Sequence, residues 1–168
     1  MIIDVSSILK EFGGKLAVSG EAAIESFDFG GEEYTLEAPV EVKGTIVNNG
    51  KSLQLTADVV TVLGTQCARC LANIDVDMEF SLDEHFVRTE DGTPTDDEVI
   101  TFDGHTIELD TVVFDNLLMN IDGKYLCADD CKGLCPKCGC DLNEGECDCD
   151  KEFVDPRWAG LADLMKND

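Results

Sequence analysis

Positive charge is what this chain has least of. Twelve Lys and Arg stand against 36 Asp and Glu, a formal charge of −24 over 168 residues. Nucleic-acid affinity rests mainly on Lys and Arg displacing counterions from phosphates, so the shortage argues against broad contact with bare RNA. The same surface attracts basic proteins at long range, or serves solubility without a specific partner. Histidine is nearly absent: only His85 and His105 occur, neither spaced like a ligand beside a cysteine pair, and both read as surface residues. No apolar run approaches the roughly 18 residues that a membrane helix requires. Met1-Ile2-Ile3-Asp4-Val5-Ser6 lacks the basic segment and long apolar run of a secretory signal. Glycine-rich phosphate loops, nucleophile elbows and kinase patterns are missing too. The expectation is a cytoplasmic protein that is not an enzyme.

What the chain does have is cysteine, nine in all. In a reducing compartment, clustered cysteines more often bind metal than form disulfides. Four segments offer pairs, Cys67/Cys70, Cys127/Cys131, Cys135/Cys138 and Cys147/Cys149, eight cysteines with one to spare. Cys135-Pro136-Lys137-Cys138-Gly139 is a metal knuckle, in which Pro fixes the backbone and Gly permits positive φ so that both sulfurs face one ion. Structural zinc takes four ligands in a tetrahedron, commonly two from each of two segments, so the set suits one or two Zn2+ ions. Spacing leaves the pairing open. The knuckles at 67/70 and 135/138 can share a metal as in rubredoxin-like sites, which would make an iron electron carrier. Alternatively 135/138 joins 147/149 across a short loop with little closure entropy, leaving 67/70 for 127/131. Full thiolate coordination leaves no position for an activated water, so no catalytic residue is expected. A zinc-ribbon transcription regulator is a further alternative, but it needs a basic exposed face.

The length suits one domain with a real core, or one domain plus a small metal-held module. Residues 1–37 are weakly patterned, with a short helix expected near residues 7–12 before Gly13-Gly14. Residues 40–47 and 53–63 flank Asn48-Asn49-Gly50 and read as a hairpin. Ile74, Val76, Met78, Phe80 and Leu82 then alternate with Asn73, Asp75, Asp77, Glu79 and Ser81, a strand with one buried and one acidic face. Cys67 and Cys70 therefore belong at the tip between two antiparallel strands. Residues 89–98 read as a loop containing Gly92 and Pro94, and residues 99–102 and 106–109 as a second hairpin around Asp103-Gly104. Asp110 is expected to cap a helix over residues 111–120, with Val112, Val113, Leu117 and Leu118 inward. Residues 121–150 hold too few large apolar side chains to fold without metal. Asp155-Pro156 starts a terminal helix bearing Trp158, Leu161, Leu164 and Met165. The fold class is α+β: an antiparallel β body with a helix over residues 1–120, and a Cys-rich, zinc-held module with a terminal helix over 121–168.

Several of these motifs occur together elsewhere. C-x-R-C-L at 67–71, L-C-x-x-D-C-K-G-L-C-P-x-C-G at 126–139 with Leu142-Asn143 after it, C-x-C at 147–149 and D-P-R at 155–157 resemble the YceD family of large ribosomal RNA accumulation proteins. The resemblance is weak over the first 35 residues. It implies a non-enzymatic ribosome-biogenesis factor of the bacterial cytoplasm, supporting accumulation or maturation of large-subunit (23S) ribosomal RNA. The charge suits docking on the large-subunit precursor or holding a basic ribosomal protein, with limited direct rRNA contact and no membrane. Some relatives keep C-x-R-C and a His or Cys pair matching Cys127 and Cys131 while lacking C-P-x-C-G and C-x-C. That pattern implies one site of Cys67, Cys70, Cys127 and Cys131, and a second of Cys135, Cys138, Cys147 and Cys149, with Cys140, at a position that varies in the family, as the spare thiol. Ile121-Asp122-Gly123-Lys124-Tyr125 stands where many relatives carry an apolar, proline-containing segment. Arg69, Lys132 and Lys137 are expected to offset the charge of a dianionic four-thiolate centre or to meet an RNA phosphate or partner carboxylate.

Overall fold

The alternating stretches fold as strands in the computed structural model, which describes residues 1–91 and 99–149. In chain order the elements are β1 Ile2–Asp4, β2 Lys15–Ala22, β3 Phe27–Phe29, β4 Glu32–Leu36, β5 Val40–Asn48, β6 Leu53–Gln66, β7 Asn73–Arg88, a single 3-10 turn at Thr89–Asp91, β8 Val99–Phe102, β9 Thr106–Glu108 and one short α-helix, α1 Asp110–Met119. The chain divides into two compact units: Met1–Ala68 with Ala72–Cys127, and Arg69–Leu71 with Ala128–Asp168. All the strands and α1 belong to the first. Among the described residues no helix is long and apolar enough to cross a membrane.

The first unit is mostly antiparallel sheet, ordered β2-β5-β6-β4-β3, with β7 and then β8 beyond β6. Strand β6 is its axis. One edge pairs with β5 from Asn48↔Leu53 to Glu41↔Val60 and then with β4 at Thr35↔Gly64 and Leu36↔Leu63. The other edge pairs with β7 along its whole length, from Leu53↔Phe86 to Gln66↔Asn73. The period of two puts Leu53, Leu55, Ala57, Val59 and Leu63 on one face with Phe80, Leu82 and Phe86 of β7, all buried. Each such large side chain contributes about 1.5–3 kcal/mol when fully removed from water. Opposite Ala57 stands Gly44 of β5, where a Cβ would overlap the Thr56 carbonyl oxygen and the Ala57 side chain. The outward face carries Glu41, Asp58, Asp75, Asp77, Glu79 and Asp83, all exposed.

Helix α1 covers the apolar face with Val112, Val113 and Leu117 buried. Phe114 meets Phe27 edge-on at 5.2 Å, and Phe27 stacks on Tyr34 at 5.6 Å. Glu84 of β7 is half-buried beneath the helix, where Asn116 Nδ2 donates to its carboxylate at 2.7 Å.

Three expectations are corrected. Asp103-Gly104 does turn, with Gly104 at φ +69°, but β8 and β9 do not pair with each other. Strand β8 runs parallel to the end of β7, from His85↔Val99 to Arg88↔Phe102, and β9 pairs antiparallel with β1. Alternation announces a strand but not which sheet edge will offer it a ladder. Residues 7–12 form turns rather than a helix. Asn48 Nδ2 donates to the Ile8 and Leu9 carbonyls at 2.7 and 3.1 Å, taking acceptors a continuing helix would use. Asp110 is the first residue of α1 and Leu109 its N-cap, with no side-chain cap bond. The Asp110 carboxylate is instead paired with the Met1 amino group and accepts the Ala23 N–H at 3.0 Å. Burial works to raise its pKa, but those bonds prevail and hold it below the usual carboxylate value. The expected terminal helix from Asp155, and most of the loop expected at 89–98, lie outside the described residues.

Candidate metal centres

The second unit is built around a small hairpin. Leu134 and Asp141 form an antiparallel bridge, and Leu142 N–H donates to the Gly133 carbonyl at 2.9 Å. At its tip the Cys135 N–H donates to the Cys140 carbonyl at 2.8 Å, and the Gly139 N–H to the Cys135 carbonyl at 2.8 Å. Gly139 takes φ +73°, as the motif requires. The knuckle at residues 67–72 closes in the same way: Cys67 N–H donates to the Ala72 carbonyl at 2.8 Å. There the position equivalent to Gly139 is Leu71, held at φ +61°, the sole positive-φ residue other than glycine among the described residues.

The turn at residues 135–140 aims donors at sulfur. The backbone N–H groups of Cys138 and Lys137, joined by the Cys147 thiol, bring the Cys135 pKa down to about 6. The Cys140 N–H, foremost, lowers that of Cys138. Cys140 and Cys149 are pushed up to about 12, first because each shares a thiol hydrogen bond with Cys138, then by burial. Anionic character therefore gathers on the knuckle sulfurs, where a dication is best received.

None of the nine cysteines is disulfide-bonded. Their sulfurs gather into two groups, Cys67, Cys70, Cys127 and Cys131, and Cys135, Cys138, Cys147 and Cys149, in each of which all ligand atoms lie within 4.8 Å of one another. A zinc ion with Zn–S bonds of about 2.3 Å places its sulfurs about 3.8 Å apart, a spacing inside that limit, so each group could hold a metal ion. All-sulfur donors suit zinc and iron. Cys67/Cys70 and Cys135/Cys138 fall in different groups, unlike the shared site of the rubredoxin-like arrangement. Cys140 belongs to neither.

Neighbouring residues organise the sulfurs. The Arg69 guanidinium donates to the carbonyls of Asp129 at 3.2 Å and Cys131 at 2.8 Å, and its own carbonyl accepts the Leu134 N–H at 3.1 Å. Gly133, at φ +71°, lets that contact form, because a Cβ would come 2.9 Å from the Arg69 oxygen. Asn143 is a hub that residue patterns did not single out for a role. Its oxygen accepts the Lys132 N–H at 2.8 Å while its amide donates to Cys131 Sγ at 3.4 Å and to Asp141 at 2.7 Å. The one signal for it was its place just after the knuckle. In the first unit, Tyr125 of the divergent 121–125 segment accepts the Ala68 N–H through its carbonyl at 2.9 Å, and its hydroxyl accepts the Asp122 N–H at 3.0 Å. The histidines lie apart from both groups. His85 Nδ1 shares a 3.3 Å hydrogen bond with Ser52 Oγ, and His105 is exposed in the Gly104 turn.

A family model described as "Large ribosomal RNA subunit accumulation protein YceD" matches residues 55–165. The chain belongs to the YceD family. That match takes in every cysteine as well as β7 and α1. Among similar proteins, an uncharacterised protein of Mycobacterium tuberculosis is 30% identical over 133 residues, covering 73% of this chain and 64% of the relative. The chloroplastic large ribosomal RNA subunit accumulation protein YCED homolog 1 of Arabidopsis thaliana is 25% identical over 164 residues, covering 80% of this chain and 51% of the relative. The uncharacterised protein YlbN of Bacillus subtilis is 28% identical over 132 residues, covering 78% and 77%. The chain thus spans less than two thirds of the length of these mycobacterial and plant relatives. No solved structure matches.

Proposed function

We propose that this YceD-family protein is a non-catalytic ribosome-biogenesis factor that supports accumulation of large-subunit (23S) ribosomal RNA in the cytoplasm. The observation that carries the proposal is the family match over residues 55–165, whose description names large ribosomal RNA subunit accumulation. Its sulfur groups hold zinc as structural ions, because four thiolates fill a tetrahedral ion and leave no site for substrate. Its route to the RNA runs through protein. A charge of −24 and an outward sheet face bearing Glu41, Asp58, Asp77 and Glu79 repel phosphate and favour a basic ribosomal protein or a protein-covered precursor.

Depletion in the source cell, followed by sucrose-gradient separation of subunits and measurement of large- and small-subunit rRNA, tests this directly. The expected outcome is a fall in the large-to-small ratio that the wild-type gene restores. An unchanged ratio would overturn the proposal. Absorption spectra of the purified protein test the metal: visible thiolate-to-iron bands that bleach on reduction would replace zinc with an iron electron carrier.

A further inference from the structure

Strand β2 forms an edge of the sheet. It pairs with β5 alone, residue for residue from Lys15↔Val47 to Ala22↔Val40, with no bulge inside the strand. The Asn48 N–H donates to the Gly14 carbonyl at 2.9 Å, and the register carries that phase along. Leu16, Val18, Gly20 and Ala22 therefore turn their backbone groups to β5, while Lys15, Ala17, Ser19 and Glu21 turn theirs outward. Among the described residues no backbone hydrogen bond reaches that outer edge, and the residues offering it are exposed. Open edges are usually blunted by charge, proline or a bulge. Strand β7 is blunted in this way: outside its short pairing with β8, its open edge bears Asp75, Asp77, Glu79 and Asp83, which would set like charges against a copy of itself. Strand β2 has no such guard. Its middle is Ala17, Val18 and Ser19, and its charges, Lys15 and Glu21, stand towards its two ends on the same face.

We propose that β2 is a self-association edge, through which two copies of this chain join antiparallel about Val18 into one continuous sheet. In that register the strand is its own complement. Lys15 stands opposite the partner's Glu21, Ala17 opposite the partner's Ser19, and Val18 opposite the partner's Val18, and the outward-turned backbone groups are the ones that face each other. On the inner side, half-buried Leu16 comes against the partner's Gly20. The room left by that missing side chain is taken by methionine, since a Cβ on Gly20 would lie 2.6 Å from Met1 Sδ. The contact is isologous, so it closes at a dimer. A charge of −24 opposes the approach of a second copy. At about 0.15 M salt that repulsion is screened beyond roughly 8 Å, whereas opposite charges placed directly across a strand pair attract at contact. The consequence is that the acidic outward faces of two copies adjoin on the same side of one sheet.

The test is sedimentation velocity on the full-length protein at about 0.15 M salt, with reductant present to exclude disulfide-linked dimers. Wild type is expected to pass from monomer to dimer as concentration rises. Ser19→Pro removes an outward N–H at an edge position, where proline is otherwise tolerated. It is expected to stay monomeric with an unchanged far-UV circular dichroism spectrum. Lys15→Glu and Glu21→Lys each set like charges opposite one another, and each is expected to weaken the dimer by roughly tenfold. The double variant, Lys15→Glu with Glu21→Lys, restores the complement and is expected to recover wild-type dimerisation. That recovery decides the matter even if Ser19→Pro unfolds. A wild-type chain that remains monomeric overturns the proposal and leaves the edge to a different protein. So does a dimer that both single charge variants leave at full strength, or one that the double variant fails to recover, since either places the contact elsewhere.

Discussion

Leu71 occupies a conformation that its side chain opposes. In both knuckles the residue after the second cysteine turns through positive φ, and glycine supplies this freely in one of them. For an L-residue the left-handed region costs about 1–2 kcal/mol. Leu71 is 58% exposed, so little burial offsets that strain. Leu71→Gly is therefore expected to raise stability by about 0.5–1 kcal/mol, and Leu71→Val, being β-branched, to lower it. Urea unfolding of the zinc-loaded protein checks both, and a loss with glycine would show that the leucine makes contacts outweighing its strain. The same comparison marks how much was legible. C-P-x-C-G announces its turn because its composition matches its geometry. C-A-R-C-L shows the spacing but hides the φ. Asn143 was harder still, because an amide that serves three partners looks in sequence like any loop asparagine.

At the scale of elements, β6 and β7 could be read because each buries one face, and burial imposes a strict period of two. The tip position of Cys67 and Cys70 followed from that pairing. The partnership of β8 and β9 did not, since a short strand carries no record of its neighbour and the Asp103-Gly104 turn suggested the wrong one. Gly44 is a related case: within β5 it looks like a weak point, yet the β5–β6 ladder brings Ala57 and the Thr56 carbonyl where a side chain would go. Gly44→Val is expected to cost about 1–3 kcal/mol by overpacking, seen as a lower urea midpoint, whereas Thr45→Val on the adjoining position of the strand is expected to stay near neutral. Equal stability of the two variants would show that the strands can part there without loss.

At the scale of the molecule, the two units differ in what holds them. The first has a continuous apolar core running from Val5 to Leu117. In the second, the described residues that are buried include Cys131 and Cys135 but no large aliphatic or aromatic side chain. Metal binding supplies folding free energy in such modules. A strong zinc chelator is expected to expose residues 128–149 to rapid amide exchange and proteolysis while β5, β6 and β7 keep their protection. Hydrogen exchange read by mass spectrometry checks this, and equal protection of residues 128–149 with and without chelator would show that the second unit stands without metal.

Sequence by itself determined what is local or additive: the knuckle turn around Gly139, the alternating strands, the helix after Leu109, and a formal charge of −24. Tertiary structure decided which cysteine pairs come within 4.8 Å of one another and which strands share a ladder. Those outcomes join residues far apart in the chain, from Cys67 to Cys127 and from Ile3 to Ile107. Spacing constrains a neighbour a few residues away by chain geometry, but contacts across many tens of residues are set by how the whole core packs.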